Sequence, residues 1–301
     1  MKKVIITGAS GFIGSALAKR LLQSGVTVYG VGRNLDKLNA LKSFGNFIPV
    51  VADFADYGRL DEIIPERNFD MFWHFAWLGT TSATYKDSAL QVQNMQITYD
   101  IIQSIAKLSN KASMSGTNYQ QCDINIDNDD NPFNPVAYGI VKKAATDLFK
   151  ILASQNNISC NNLIFPNTFG ELDKQESAII LFIKKLQANE PLNLISGDYP
   201  DDWLYIDDLV DGIIAAEKST KNYTEYYIGH RKITTFKEKL LAMKKILSSN
   251  SELNFGKYPE TNRVDCSKFD LDALYNDTGY TAKTDFAESI RKTADWLDGL
   301  K

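Results

Sequence analysis

The chain has 301 residues, enough for one large domain or two linked ones. Apolar residues make up 44% and charged residues 23%, an ordinary balance for a globular protein. With 33 Lys+Arg against 37 Asp+Glu, the net charge of -4 argues against nucleic acid as the main partner, because no basic excess exists to neutralise phosphates.

In chain order, the first predicted strand, 4–7, is short and apolar on both faces, as a buried parallel strand is. A glycine-rich stretch, Gly8 to Gly14, leads into a helix over 15–24, ended by Gly25. Strands follow at 26–31, 47–51 and 71–76, with helical segments at 35–44 and 60–64 between them. A long helix over 89–108 carries Ile97, Ile101, Ile102 and Ile105 at helical spacing. A weak strand, 111–115, is inferred from the alternation. A polar stretch, 123–135, reads as a surface loop before a helix over 136–154 and a strand over 159–165.

This alternation predicts a doubly wound parallel α/β sheet of Rossmann type, with right-handed crossovers and helices on both faces. After Gly170 the rhythm changes to helices at 178–189, 206–217, 236–248 and 286–297 and a short strand at 226–228. The expected division is a dinucleotide-binding domain over 1–170, to which 203–230 returns. The smaller mixed part, 171–202 and 231–301, is expected to hold a substrate.

Cys122, Cys160 and Cys266 are far apart and match neither a metal-ligand spacing nor a disulfide framework. Reduced thiols and a cytoplasmic location are expected. The run Val4-Ile5-Ile6 is too short for the apolar part of a signal peptide. The stretch 178–183 ends at Lys184-Lys185, short of the ~18 apolar residues of a membrane span.

Gly8, Gly11 and Gly14 stand between a predicted strand and a predicted helix, the context in which spaced glycines cradle a pyrophosphate at a helix N-terminus. Gly8 permits the tight turn, Gly11 the close approach of the anion, and Gly14 the packing of helix on strand. No acid stands near the end of the second strand, where one would bind a ribose 2′-hydroxyl; Arg33 stands there instead. That favours NADP(H) over NAD(H), unless Arg33 is a plain surface charge. Asp53 at the end of the third strand suits an adenine amino group, a turn cap, or both. Tyr138 and Lys142 share one helix face at i and i+4.

Together with His74-Phe75-Ala76, Asn94, Asn167 to Gly170, Gly197-Asp198 and Tyr205 to Leu209, these features resemble an extended short-chain dehydrogenase/reductase of the nucleotide-sugar epimerase/dehydratase superfamily. The match continues through Arg263, Asp265, Ser267-Lys268 and Gly279-Tyr280. The resemblance implies that Tyr138 transfers a proton and that Lys142 binds the nicotinamide ribose. A free phenol has a pKa near ~10, and a neighbouring ammonium is expected to draw it down. A Ser or Thr should hydrogen-bond the reacting oxygen, and Ser115 and Thr117 fit in alternative registers. Thr117 is preferred, because Gly116-Thr117-Asn118-Tyr119 resembles the deoxysugar 4-ketoreductase branch.

Cofactor contacts are implied for the glycine loop with Ser10, Phe12 and Ile13, for Arg33, Asp53 and Phe54, and for Phe75, Ala76, Trp77, Asn94 and Pro166. Substrate contacts are implied for Thr80, Thr81, Thr117, Asn167, Trp203 and Arg263. His74 reads as a core residue and no metal site is expected. Two departures stand out: Asp201-Asp202-Trp203 replaces a usual Arg-Asp-Phe, and Ile164 stands where arginine is frequent. The expected function is NADPH-dependent reduction of a nucleotide-diphosphate 4-keto-6-deoxy sugar by a homodimer paired through the helices 89–108 and 136–154. A C4 epimerase is the alternative, and a non-catalytic NADP-binding regulator the alternative of another class.

Overall fold

The computed structural model describes residues 1–122, 135–173, 177–259 and 264–300. The expected loop 123–135 therefore falls, apart from Pro135, outside the described residues, and so does Arg263. The first six strands of the chain are β1 (Lys3–Thr7), β2 (Thr27–Gly32), β3 (Phe47–Val51), β4 (Met71–His74), β5 (Lys111–Thr117) and β6 (Ser159–Phe165). With a later strand, β10 (Tyr223–Tyr227), they form one seven-stranded sheet in the order β10-β6-β5-β4-β1-β2-β3. Every pair in it is parallel.

The register follows from burial. Successive β1 side chains point to opposite faces. Val4 and Ile6 face one apolar cluster, shared with helix α1 (Phe12–Gln23), while Ile5 faces another. That second cluster is filled by α3 (Leu60–Ile63), α4 (Ser88–Leu108) and α5 (Val136–Gln155). Helix α2 (Leu35–Asn39) runs on into a 3-10 turn, Ala40–Phe44, so the expected helix over 35–44 is split.

Two boundaries differ from the sequence reading where the site lies. Helix α1 starts at Phe12, not residue 15, because Gly11 is already its extended N-cap. Strand β5 reaches Thr117 because it pairs with β6 along its whole length, Lys111↔Ser159 to Thr117↔Phe165.

The remaining elements are β7 (Asn167–Phe169), α6 (Ala178–Gln187), β8 (Leu192–Leu194), β9 (Trp203–Tyr205), α7 (Ile206–Ala216), α8 (Phe236–Ile246), β11 (Leu253–Phe255), α9 (Ala273–Thr278) and α10 (Phe286–Asp298). Strands β7 and β9 pair in parallel, as do β8 and β11. These four are three residues long, too short for a period-2 pattern to announce them. Helix α7 packs beside α1 in the first cluster, and β10 pairs with β6. Asp208 on α7 accepts from the backbone N–H groups of Lys283 (2.9 Å) and Thr284, and Tyr280 donates to the Asp208 carbonyl at 2.8 Å. These bonds fasten the C-terminal segment to α7. Among the described residues, no helix is long and apolar enough to cross a membrane.

Candidate active site

At the carboxyl end of β1, Gly8 has φ +71°, a left-handed conformation that glycine adopts without strain. A Cβ on Gly14 would lie 2.2 Å from the Gly8 carbonyl oxygen, so helix and strand meet this closely only through glycine. The N-cap Gly11 offers no side-chain acceptor, and the first turn of α1 carries no acid. The free N–H groups of that turn therefore face outward with the helix dipole behind them, the chemistry a pyrophosphate requires. Thr7 closes the floor: its hydroxyl bonds His74 Nδ1 at 2.9 Å and accepts from the Phe75 and Ala76 N–H groups at 3.2 and 3.3 Å. His74 is fully buried, as a core residue should be.

Arg33 projects from the end of β2, with 67% of its side chain exposed, 4.0 Å from Asp53 and over the ring of Phe54. Asp53 caps the turn that follows it, accepting from the Phe54 N–H at 2.8 Å. The cap reading of Asp53 is thus realised, and it leaves room for an adenine contact.

Tyr138 and Lys142 lie on the first turns of α5 and are both buried. A Cβ on Gly139 would sit 2.2 Å from the Tyr119 carbonyl oxygen, so this glycine lets α5 press onto the turn that follows β5. That contact brings both candidate hydroxyls into play. Thr117 is hydrogen-bonded to the Tyr138 phenol, while Ser115 accepts from Lys142 Nζ at 3.2 Å. The phenol is walled by aromatic rings: Tyr85 stacks on it at 4.8 Å, and Trp77 and Tyr119 meet it edge-on at 6.1 Å.

Burial raises the Tyr138 pKa above the ordinary phenol value, with Tyr85 adding to the rise and the Thr117 hydrogen bond opposing it. In the chain alone, the expected lowering by Lys142 is not seen. Its ammonium is turned aside, 3.7 Å above the Trp77 ring and onto Ser115. Burial also pushes the Lys142 pKa well below the usual lysine range.

Other expected contacts are placed as follows. Asn94 spends its amide on the loop after β4, accepting from the Leu78 N–H at 2.9 Å and donating to the Leu78 and Gln91 carbonyls. It shapes that loop from below. Thr81 caps the turn Ser82–Thr84, beside a half-buried Thr80. Pro166 is buried at the end of β6, and Ser10 lies beside Gly32.

Trp203, an expected substrate contact, is 2% exposed and packs on Phe182, Phe236 and Phe286. Its indole N–H donates to Asp201 at 2.7 Å, and Asn167 donates to the other Asp201 oxygen at 2.9 Å. Asp201 thus occupies the expected arginine position as the centre of a closed network. Burial pushes its carboxyl up to about 6. The sequence reading did not single out Tyr85, because nothing in its local pattern places it against Tyr138, 53 residues further on.

A family model described as "NAD dependent epimerase/dehydratase family" matches residues 4–229. The dTDP-4-dehydro-6-deoxyglucose reductase of Escherichia coli is 23% identical over 275 residues, 86% of either chain. The UDP-glucose 4-epimerase of Mycolicibacterium smegmatis is 23% identical over 98% of both chains. Among solved structures, a Bacillus cereus UDP-glucuronic acid 4-epimerase variant in complex with UDP-4-deoxy-4-fluoro-glucuronic acid and NAD superposes with a TM-score of 0.81 at 20% identity, over 99% of this chain and all of that one.

One prediction follows from His74, whose pKa burial lowers to about 3, with the Lys142 charge adding to the drop. The unfolded chain takes up this proton near the ordinary value of about 6.5, whereas the folded chain resists it. The stability that neutral His74 contributes is present above that value and is lost as pH falls toward 3. Asp201 acts oppositely: its contribution is present below the ordinary carboxylate value and is lost as pH rises through about 6. Urea titrations from pH 7 to 4 should therefore show the parent losing up to about 1.4 kcal/mol more stability per pH unit of acidification than His74→Asn does. Equal slopes would contradict the assignment. The glycine loop, the paired Tyr138 and Lys142 at the end of β5 and the family match agree: the chain belongs to the NAD dependent epimerase/dehydratase family.

Proposed function

We propose that the protein reduces the 4-keto group of a nucleotide-diphosphate-linked 4-keto-6-deoxy sugar at the expense of NADPH. The observation that carries this reading is the convergence of the Tyr138 phenol, the Thr117 and Ser115 hydroxyls and the Lys142 ammonium at one end of β5, beside a glycine loop suited to a dinucleotide. A bound nicotinamide supplies the hydride. Thr117 would orient the sugar carbonyl, and Tyr138 would give its proton to the carbonyl oxygen. The raised Tyr138 pKa keeps the phenol protonated at neutral pH, which suits an acid working in the reductive direction. The phenolate left behind must regain a proton before the next turnover.

The exposed guanidinium of Arg33 supports NADPH, since a planar fork matches a 2′-phosphate. We read 1–170 with 203–230 as the cofactor-holding part, and 171–202 with 231–301 as the part that holds the sugar nucleotide. The whole-length match to a UDP-glucose 4-epimerase supports a second reading, C4 epimerisation with the cofactor retained.

The two readings separate on nicotinamide absorbance. Purified protein is mixed with NADPH or NADH and dTDP-, CDP-, GDP- and UDP-linked 4-keto-6-deoxy sugars. Stoichiometric loss of NADPH with one of them is expected. Interconversion of UDP-hexoses without added reduced cofactor, and no consumption with the keto sugars, would replace the reductase by the epimerase. Preference for NADH would remove the role given to Arg33.

The outer faces of α4 and α5 expose Val92, Tyr99, Ile140 and Ile151, apolar residues on adjacent helices. We propose that these faces pair two copies in a four-helix contact. Light scattering at micromolar concentration should give twice the chain mass, and Tyr99→Glu with Ile151→Glu should halve it. A monomeric parent would sink this pairing.

A further inference from the structure

We propose that Trp77 is the positioning residue for Lys142, its indole face holding the buried ammonium at the level of Ser115 and Tyr138. The proposal deepens the reading above and rests on it for the role of Lys142, though not for the contact itself. Lys142 is 2% exposed, and among the described residues the influence on its ionisation is burial, with no carboxylate contributing. A buried ammonium in that setting needs a compensating negative surface. Two contacts supply it: the Ser115 hydroxyl oxygen at 3.2 Å and the Trp77 ring, whose centroid is 3.7 Å from Nζ. A cation at this distance from an indole face is attracted by the ring quadrupole, and more strongly when both are shielded from water.

The ring is itself fixed. Trp77 Nε1 donates to Gln91 Oε1 at 2.9 Å. Gln91 is fully buried on α4 and donates in turn to the carbonyls of Gly79 (2.8 Å) and Thr84 (3.1 Å). Asn94, one turn further along α4, grips the backbone of Leu78 in both directions. The indole plane is therefore set by α4 and the loop it clamps, independently of α5, which carries Lys142. The same ring meets Tyr138 edge-on, so one side chain registers both members of the pair. Among the described residues, the groups facing Lys142 are His74 from β4, Ser115 from β5 and Trp77 from the loop. Held this way, the ammonium spends one of its three N–H groups on Ser115, which leaves donors for ribose hydroxyls. A neutral or displaced amine would offer neither the charge nor the geometry.

A residue that merely fills space would act without reference to Lys142. A double-mutant cycle separates the two, with Trp77→Leu, Lys142→Met and the pair measured by urea unfolding of the unliganded chain. Trp77→Leu should shift the unfolding equilibrium roughly tenfold more with Lys142 present than in the Lys142→Met background, the size of a desolvated cation–ring contact. Additive effects would overturn the proposal. If Trp77→Leu does not fold, Trp77→Phe carries the cycle with a smaller coupling of the same sign.

The second readout is calorimetric titration of NADPH. Trp77→Phe should bind within about threefold of the parent, and Trp77→Leu on the order of tenfold more weakly. The alkaline loss of affinity should set in at lower pH for Trp77→Leu, because the unsupported ammonium gives up its proton more readily. Equal affinities and equal pH limits for Phe and Leu would also overturn the proposal. If the parent binds no dinucleotide, the functional reading fails, while the unfolding cycle still decides the Trp77 contact.

Discussion

The carboxyl end of the sheet is organised around one unfavourable fact, a lysine head group buried without a counter-ion among the described residues. Lys142 lies inside a wall of apolar and aromatic groups, and its neighbours are arranged to keep it there. The arrangement is built on rigid parts. Ser115 is held by the β5–β6 ladder, Trp77 by the buried amides of Gln91 and Asn94, and α5 by the close contact of Gly139 with the Tyr119 carbonyl. Each part comes from a different element, so the geometry exists only when the sheet, α4 and α5 are all in place. Site geometry is in this sense a consequence of fold stability.

The same aromatic enclosure acts on Tyr138. Rings from Trp77, Tyr85 and Tyr119 strip water from the phenol and raise its pKa, whereas the Thr117 hydrogen bond pulls the other way. Neutral phenol is the state a proton donor needs. The sugar side differs from the pattern that the resemblance suggested. Asp201 sits where a cation was anticipated, and its three acceptances, from Trp203, Asn167 and the Asp202 N–H, make it a structural hub. Asp202 behind it accepts from Tyr227 and pairs with His230.

Much of the sheet was legible because buried parallel strands and amphipathic helices have distinct periods. Strands β3 and β6 fall where their apolar runs predict them. The glycine loop and the Tyr138/Lys142 pair were legible because each lies within one local element. What escaped the sequence depends on distance along the chain or on burial. The Trp77–Lys142 stack joins residues 65 apart. The packing of Trp203 on Phe182, Phe236 and Phe286 likewise joins distant parts of the chain. The end of β5 could not be set from composition, since Ser115, Gly116 and Thr117 owe their strand conformation to β6.

The central claim is that the Tyr138 phenol supplies the proton within a preformed cofactor site. It is tested most directly by Tyr138→Phe, followed by NADPH titration and by turnover with the sugar that the parent accepts. The account predicts cofactor affinity within about threefold of the parent and turnover lower by 10²–10⁴-fold, the usual contribution of a positioned general acid. Turnover within tenfold of the parent would show that the proton comes from another group and would contradict the account.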